Sequence, residues 1–310
     1  MAPWSLVTYL DASSGPRVGA LVDQTRVVPL PWVPEAVDVG DVVAQWAELR
    51  DLLVAWAPDP ARAVPEVTLR VPLRAPGKLL FAGANYVDHV REMGISTVPT
   101  GLRPYFFLLP TTALAAPGEA VRVPAADSAR IDWEAELAVV IGIAGRHIAV
   151  DDALGHVAGY TIINDITARG AHHRDVQIAP PFAYDWLSSK GRDSFCPMGP
   201  GLVPAHFVPD PQDLSVRLWV NDELRQDGRT SDMIFSVAEL ISAASEVMTL
   251  APGDVISTGT PAGVGAARGQ QLWPGDVVTA EIPPLGRLRN PVVADTSAPL
   301  VAARVAPNPA

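Results

Sequence analysis

Ile131-Asp132-Trp133-Glu134-Ala135-Glu136-Leu137-Ala138-Val139-Val140-Ile141-Gly142 is the stretch on which the reading of this chain turns. The run after Glu136 is too apolar for a surface strand and reads as a buried one. Side chains two apart in a strand share a face, so Glu134 and Glu136 project together. Two adjacent carboxylates leading into a buried strand repel each other and lose hydration. Such a pair persists if one is protonated or if a cation sits between them. Hard oxygen ligands select Mg²⁺, Mn²⁺ or Ca²⁺. The plainer alternative is a solvated strand end with two exposed glutamates.

Two further segments bear on that choice. Gly159-Tyr160-Thr161-Ile162-Ile163-Asn164-Asp165-Ile166-Thr167-Ala168-Arg169 reads as an apolar strand that ends abruptly in polar residues. Asp165 there can complete a three-carboxylate site, and Arg169 can meet a substrate anion bidentately. Read without a ligand, Asn164-Asp165 is a strand terminus capping the next turn. The other segment is Phe81-Ala82-Gly83-Ala84-Asn85-Tyr86-Val87-Asp88-His89-Val90-Arg91-Glu92. If its last part is helical, His89 and Glu92 share a face, and Glu92 can orient the imidazole and raise its basicity. That makes a general-base pair able to activate water.

The chain has 310 residues, 48% of them apolar and 18% charged, enough to bury a substantial core and unlike a disordered composition. Apolar stretches are far shorter than the roughly 20 residues a membrane helix needs. The opening Met-Ala-Pro-Trp-Ser-Leu-Val lacks the order of a signal peptide, so a soluble, cytoplasmic protein with no membrane contact is expected. A net charge of −11 without a Lys/Arg cluster argues against nucleic acid as a partner. Cys196 is the only cysteine, which excludes an internal disulfide and a thiolate-cluster metal site; its setting, Phe-Cys-Pro-Met-Gly-Pro, reads as a packed turn.

Thirty-one prolines and 24 glycines cut the chain into short segments. Strands are expected over 17–22, 27–30, 137–143, 160–163, 215–220 and 277–282, and helices over 42–57, 151–157 and 236–248. The last helix carries a capping box, Ser236 with Glu239. The expected organisation is a small N-terminal α+β unit over 1–75, one domain over 76–294 and a disordered tail over 295–310. The fold class is α+β, predominantly β.

Together the segments resemble the fumarylacetoacetate hydrolase superfamily over roughly residues 76–293. The match rests on Asn-Tyr-x-x-His-x-x-Glu from Asn85, Asp-Trp-Glu-x-Glu-Leu from Asp132 and Asn-Asp-Ile-Thr-Ala-Arg from Asn164. It also includes Phe-Cys-Pro-Met-Gly-Pro from Phe195, Val-Asn-Asp-Glu-Leu-Arg-Gln ending at Gln226, and Pro-Gly-Asp-Val-Ile-Ser-Thr-Gly-Thr-Pro ending at Pro261. Any one could arise by chance; six in the family's order are specific. The resemblance implies a mixed β-roll domain, a homodimer, and Mg²⁺ or Mn²⁺, with Ca²⁺ a further candidate, on Glu134, Glu136 and Asp165. It implies His89, Glu92 and Lys190 as the residues of the chemistry. Tyr86, Arg169, His172, Gln226 and Thr260 are then the residues that contact a small oxo-acid.

The activity so implied is hydrolysis of a C–C bond in a β-diketo acid, of acylpyruvate or fumarylpyruvate type, through a metal-stabilised enolate. The alternatives are decarboxylation, tautomerisation or hydration/dehydration of a related 2-oxo acid. The chain departs from the family's pattern twice. Many members carry a lysine where Leu109 stands, which suggests a less acidic or differently shaped substrate. The family also keeps a glutamine just after its Ala-Arg pair. Either the His172 imidazole stands near that amide's place, or Arg174-Asp175-Val176-Gln177 is the motif displaced by a small insertion. Neighbouring residues on a helix point about 100° apart, which argues against His172 and His173 both ligating a metal.

Overall fold

The computed structural model describes residues 3–12, 15–32, 38–124 and 129–296. The expected tail therefore lies, from residue 297 on, outside the described residues. Strand outweighs helix, 35% to 24%, as an α+β, predominantly β chain requires.

In chain order the strands begin with β1 (Ser5–Leu10), β2 (Arg17–Val22), β3 (Arg26–Pro29), β4 (Thr68–Leu69), β5 (Leu79–Gly83) and β6 (Tyr105–Leu108). Next come β7 (Leu114–Ala115), β8 (Val121–Val123), β9 (Ile131–Asp132), β10 (Ala135–Ile141), β11 (Val157–Asn164) and β12 (Thr167–Ala168). The last are β13 (Cys196–Pro204), β14 (Ser215–Val220), β15 (Glu223–Arg229), β16 (Val255–Ser257), β17 (Val277–Ile282) and β18 (Gly286–Ala294). Helices are α1 (Val39–Ala44), α2 (Trp46–Ala55), α3 (Val87–Glu92), α4 (Trp186–Lys190) and α5 (Val237–Val247).

A large mixed sheet runs β3-β2-β1-β13-β11-β10-β16-β5-β6, with β4 on β1 and β7 on β13. A second sheet runs β15-β14-β17-β18-β8, and β9 pairs with β12. Through β1 and β13 the N-terminal strands join the sheet that carries β10 and β11. Along β10, Leu137, Val139 and Ile141 enter one apolar cluster, while Ala138 and Val140 enter another on the opposite face. Burial on both faces explains why its sequence is a continuous apolar run rather than an alternation.

Several boundaries differ from expectation. The helix expected over 42–57 is two helices, α1 and α2, joined at Gln45 (φ −107°, ψ 24°). The first starts early because Asp38 caps it, with Asp41 closing a capping box. Residues 150–156 form 3₁₀ turns in place of an α-helix. Around α5 the Ser236–Glu239 box is present as expected.

The packed turn expected around Cys196 is instead the start of β13, a nine-residue strand buried throughout. Its prolines and glycines disguise it. Glycines let the neighbouring backbones approach: a Cβ on Gly159 of β11 would lie 2.2 Å from the Val203 carbonyl oxygen, and one on Gly201 2.6 Å from that of Leu6.

That close approach yields a test. Gly159→Ala should lower the unfolding free energy by about 2–4 kcal/mol, because backbone has to move. Gly155→Ala, with no atom within 4 Å of the new carbon, should change it by less than about 0.5 kcal/mol. Urea unfolding of the two variants checks this; equal stabilities would refute the packing argument.

Candidate metal centre and active site

The β10–β11 register places Ala135 opposite Asn164, so the residues just outside the pair, Glu134 and Asp165, meet at the end of the ladder. The Asp165 amide donates to the Glu134 carbonyl at 2.8 Å, and Asn164 Oδ1 accepts from the Glu134 amide at 3.0 Å. Glu136, two residues on, faces the same side. Carboxylate oxygens of Glu134, Glu136 and Asp165 all lie within 4.8 Å of one another, and all three residues are buried.

Cations hold this cluster together. Lys190, brought in by the last residue of α4, is 2% exposed. Its Nζ donates to Glu134 Oε2 at 2.9 Å, to Thr167 Oγ1 at 2.8 Å, and to Asp165 Oδ2. Arg169 donates to Glu134 Oε1 and, at 2.9 Å, to Asp132 Oδ2. Burial works against ionisation of Glu134, but Lys190 and Arg169 override it and hold that carboxyl well below the usual range. Burial drives Glu136 the other way, strongly upward, and repulsion from Asp165 and Glu134 adds to it. Burial likewise raises Asp165, with Lys190 only partly offsetting it.

These features fit a divalent cation. Fully ionised, the four acids Asp132, Glu134, Glu136 and Asp165 outnumber Lys190 and Arg169 by two charges. Asp165 Oδ1 is buried without a hydrogen-bond partner, a costly state for a carboxylate oxygen unless a ligand meets it. Glu136 is aimed by Ser257 Oγ at 2.6 Å and the Gly259 amide at 3.0 Å, both on Oε2.

Beside the carboxylates lies a cavity of about 130 Å³. Its wall contains His89, Glu134, Glu136, Asp165, Arg169, His172, Lys190 and Thr260, together with Phe107 and Trp186. His89 sits on α3, with Nδ1 2.7 Å from Glu92 Oε1; the other Glu92 oxygen accepts from the Gly263 amide at 2.9 Å. Burial would raise the Glu92 carboxyl, but the His89 bond and backbone donors bring it below its ordinary value. An anionic Glu92 requires the hydrogen on Nδ1, leaving the other nitrogen of His89 to act as a base.

Two expected substrate contacts stand elsewhere. Tyr86 is fully buried behind the site at the start of α3 and does not line the cavity. Gln226 is fully buried beneath it: Oε1 accepts from the Ala135 amide at 3.0 Å, and Nε2 donates to Thr260 Oγ1 at 2.7 Å and the Pro261 carbonyl at 2.8 Å. It braces the floor. Arg169 lines the cavity, but its guanidinium is committed to protein carboxylates. His172 also lines it, while His173 is exposed.

Other participants were not singled out from the sequence. Asp132, 1% exposed, anchors Arg169 and accepts from the Gly265 and Ala266 amides at 2.6 and 3.1 Å. It belonged to the quoted Asp-Trp-Glu motif, which was signal enough. Thr167 likewise belonged to the Asn-Asp-Ile-Thr-Ala-Arg motif, whereas Phe107 and Trp186 come to the cavity from distant elements.

The family model described as fumarylacetoacetate (FAA) hydrolase, C-terminal, matches residues 78–293. The chain is 42% identical over 229 residues to a mitochondrial oxaloacetate tautomerase of Xenopus laevis, covering 73% of this chain and 69% of that one. The solved fumarylacetoacetate hydrolase of Exiguobacterium antarcticum superposes with a TM-score of 0.78 at 31% identity, covering 94% of this chain and 100% of that one. A maleylpyruvate hydrolase from Sphingobium sp. SYK-6, solved with manganese(II) and pyruvate, gives a TM-score of 0.72 at 30% identity, covering 94% and 99%. With its fold, its buried acidic triad and these matches, the chain belongs to the fumarylacetoacetate hydrolase family.

Proposed function

We propose that this chain is a divalent-metal-dependent enzyme that interconverts the keto and enol forms of a short 2-oxo acid. The observation that carries the reading is one cavity whose wall holds both the carboxylate triad and the Glu92-oriented His89. The cavity is a partly open cleft of about 130 Å³, large enough to admit the head of a small oxo-acid. The tautomerase name of the Xenopus relative supports the same choice.

Mg²⁺ or Mn²⁺ held by Glu134, Glu136 and Asp165 would polarise the 2-oxo group and offset the charge that develops on its oxygen. His89 takes a proton from C3 of the substrate through the nitrogen that Glu92 leaves free, and returns it to oxygen. Glu92 stabilises the imidazolium in between and fixes its orientation. Lys190 places positive charge beside the reacting oxygen while balancing Glu134 and Asp165. Phe107 and Trp186 exclude water from one wall.

The second reading is C–C hydrolysis of a β-diketo acid of acylpyruvate or fumarylpyruvate type. The same His89–Glu92 pair favours it, since a base that removes a carbon-bound proton can also deprotonate an attacking water. A cytoplasmic homodimer completes the proposal. Exposed Val176, Ile178, Phe182, Tyr184 and Leu187 form an apolar segment that a second copy would cover. Among the described residues no helix is long and apolar enough to cross a membrane. The Xenopus relative is named as a mitochondrial protein.

Metal binding is tested by thermal unfolding. Mn²⁺ at a hundred times its dissociation constant should add about 2.7 kcal/mol of stability. Glu136→Gln keeps the shape and removes the charge, and it should abolish that gain. Stabilisation of Glu136→Gln equal to that of wild type would displace the ion from this triad.

The reaction is tested by deuterium exchange at C3 of 2-oxobutanoate and oxaloacetate, followed by NMR beside cleavage of an acylpyruvate. Exchange should be fast with Mn²⁺, vanish with EDTA, and fall about 10²-fold or more in His89→Ala, less in Glu92→Gln. Acylpyruvate cleavage outrunning exchange in wild type would hand the site to the hydrolytic reading.

A further inference from the structure

His172 follows the short 3₁₀ turn Arg169–Ala171 and lines the cavity. Its ring meets Trp186 edge-to-face at 4.4 Å between centroids, and Nδ1 lies 3.3 Å from Ser189 Oγ. Ser189 has one hydroxyl proton, which Oγ donates to the Trp186 carbonyl at 3.1 Å within α4. Only lone pairs of that oxygen remain for the imidazole, so Nδ1 brings the hydrogen. In the neutral ring the other nitrogen, Nε2, is then a bare acceptor. No partner for Nε2 is found among the described residues. Burial favours the neutral ring, with Arg169, Lys190 and His173 adding to the effect and Glu134 opposing it.

We infer that His172 offers Nε2 as a hydrogen-bond acceptor to the tail of the substrate, and so selects a 2-oxo acid with a hydroxyl there over one with a second carboxylate. The inference rests on the reading of the site as an enolising centre for 2-oxo acids. A hydroxyl donates to Nε2 directly. A carboxylate would set lone pairs against a lone pair. It would also find little cationic help, since Arg169 and Lys190 are held by Asp132, Glu134 and Asp165. The neighbouring wall, Phe107 stacked on Trp186 at 4.7 Å, brings no charge.

Two measurements test it. Two-bond ¹H–¹⁵N spectra of the whole protein with labelled histidine, the signal assigned through His172→Gln, should show the Nδ1–H tautomer. The Nε2–H tautomer would overturn the inference whatever the reaction proves to be. The second is calorimetry on Mn²⁺-loaded protein with 4-hydroxy-2-oxobutanoate, 2-oxopentanoate and oxaloacetate, which share a head and differ in the tail. The hydroxylated acid should bind on the order of tenfold tighter than 2-oxopentanoate, and oxaloacetate more weakly than the hydroxylated acid. His172→Phe should level the first two, and His172→Gln, whose amide oxygen also accepts, should retain part of the preference. A preference that survives His172→Phe, or tightest binding of oxaloacetate, would overturn the inference alone. Failure of all three acids to bind wild type would bring down the enolising reading with it.

Discussion

Three carboxylates buried at the joint of two paired strands set the terms for everything around them. Glu134, Glu136 and Asp165 cannot all ionise in a low-dielectric interior without compensation. The β10–β11 register brings them together, and Lys190, itself buried, bridges Glu134 and Asp165 from the end of α4. Removing one partner from such a network costs about 3–5 kcal/mol, because the charge left behind has no solvent. Arg169 does the same for Glu134 and Asp132 from the other side. The local fold is thus committed to a cation-rich frame around an acid-rich centre, whose full ionisation would leave two negative charges for a ligand to offset.

The segment 259–266 ties this centre to α3, the helix that carries His89. Its backbone amides donate to four carboxylates: Gly259 to Glu136, Ala262 to Asp88, Gly263 to Glu92, and Gly265 with Ala266 to Asp132. Asp88 and Glu92 belong to α3, Glu136 to β10, so a single loop sets the His89 helix against the triad. Glycine is required where the loop turns: Gly263 has φ +108°, and a Cβ there would lie 2.2 Å from the Arg225 carbonyl oxygen. Gln226 supports the same loop from below through Thr260 and Pro261. Positioning of this kind would hold a base and metal ligands in fixed relation before a substrate arrives.

Much of this was legible in the order of residues. The two-residue period that puts Glu134 and Glu136 on one face is a property of any strand, and the apolar run identified the strand. Asp165 stood out as the polar end of an apolar strand, whereas Lys190 was placed by the family resemblance alone. What escaped notice depended on partners remote in sequence. The stretch starting at Cys196 reads as a turn because Pro197, Gly199, Pro200 and Gly201 break local propensity; it is a strand because β1, β7 and β11 pair with it. Tyr86 and Gln226 were assigned to substrate by their motifs. Burial behind the cavity is a tertiary fact that spacing does not encode. The aromatic wall of Phe107 and Trp186 joins β6 to α4, nearly eighty residues apart, and neither residue announces the other.

The pattern of occupied lone pairs bears on how a cation would be held. Both oxygens of Glu134 are already engaged, Oε1 by Arg169 and Oε2 by Lys190. Asp165 gives one oxygen to Lys190 and keeps Oδ1 without a partner, while the bonds that aim Glu136 both fall on Oε2. A divalent ion would therefore take its least contested bonds from Asp165 and Glu136 and share Glu134 with two side-chain cations. Glu134 would then contribute less to holding such an ion than Asp165 and Glu136 do, because Arg169 and Lys190 already engage its oxygens.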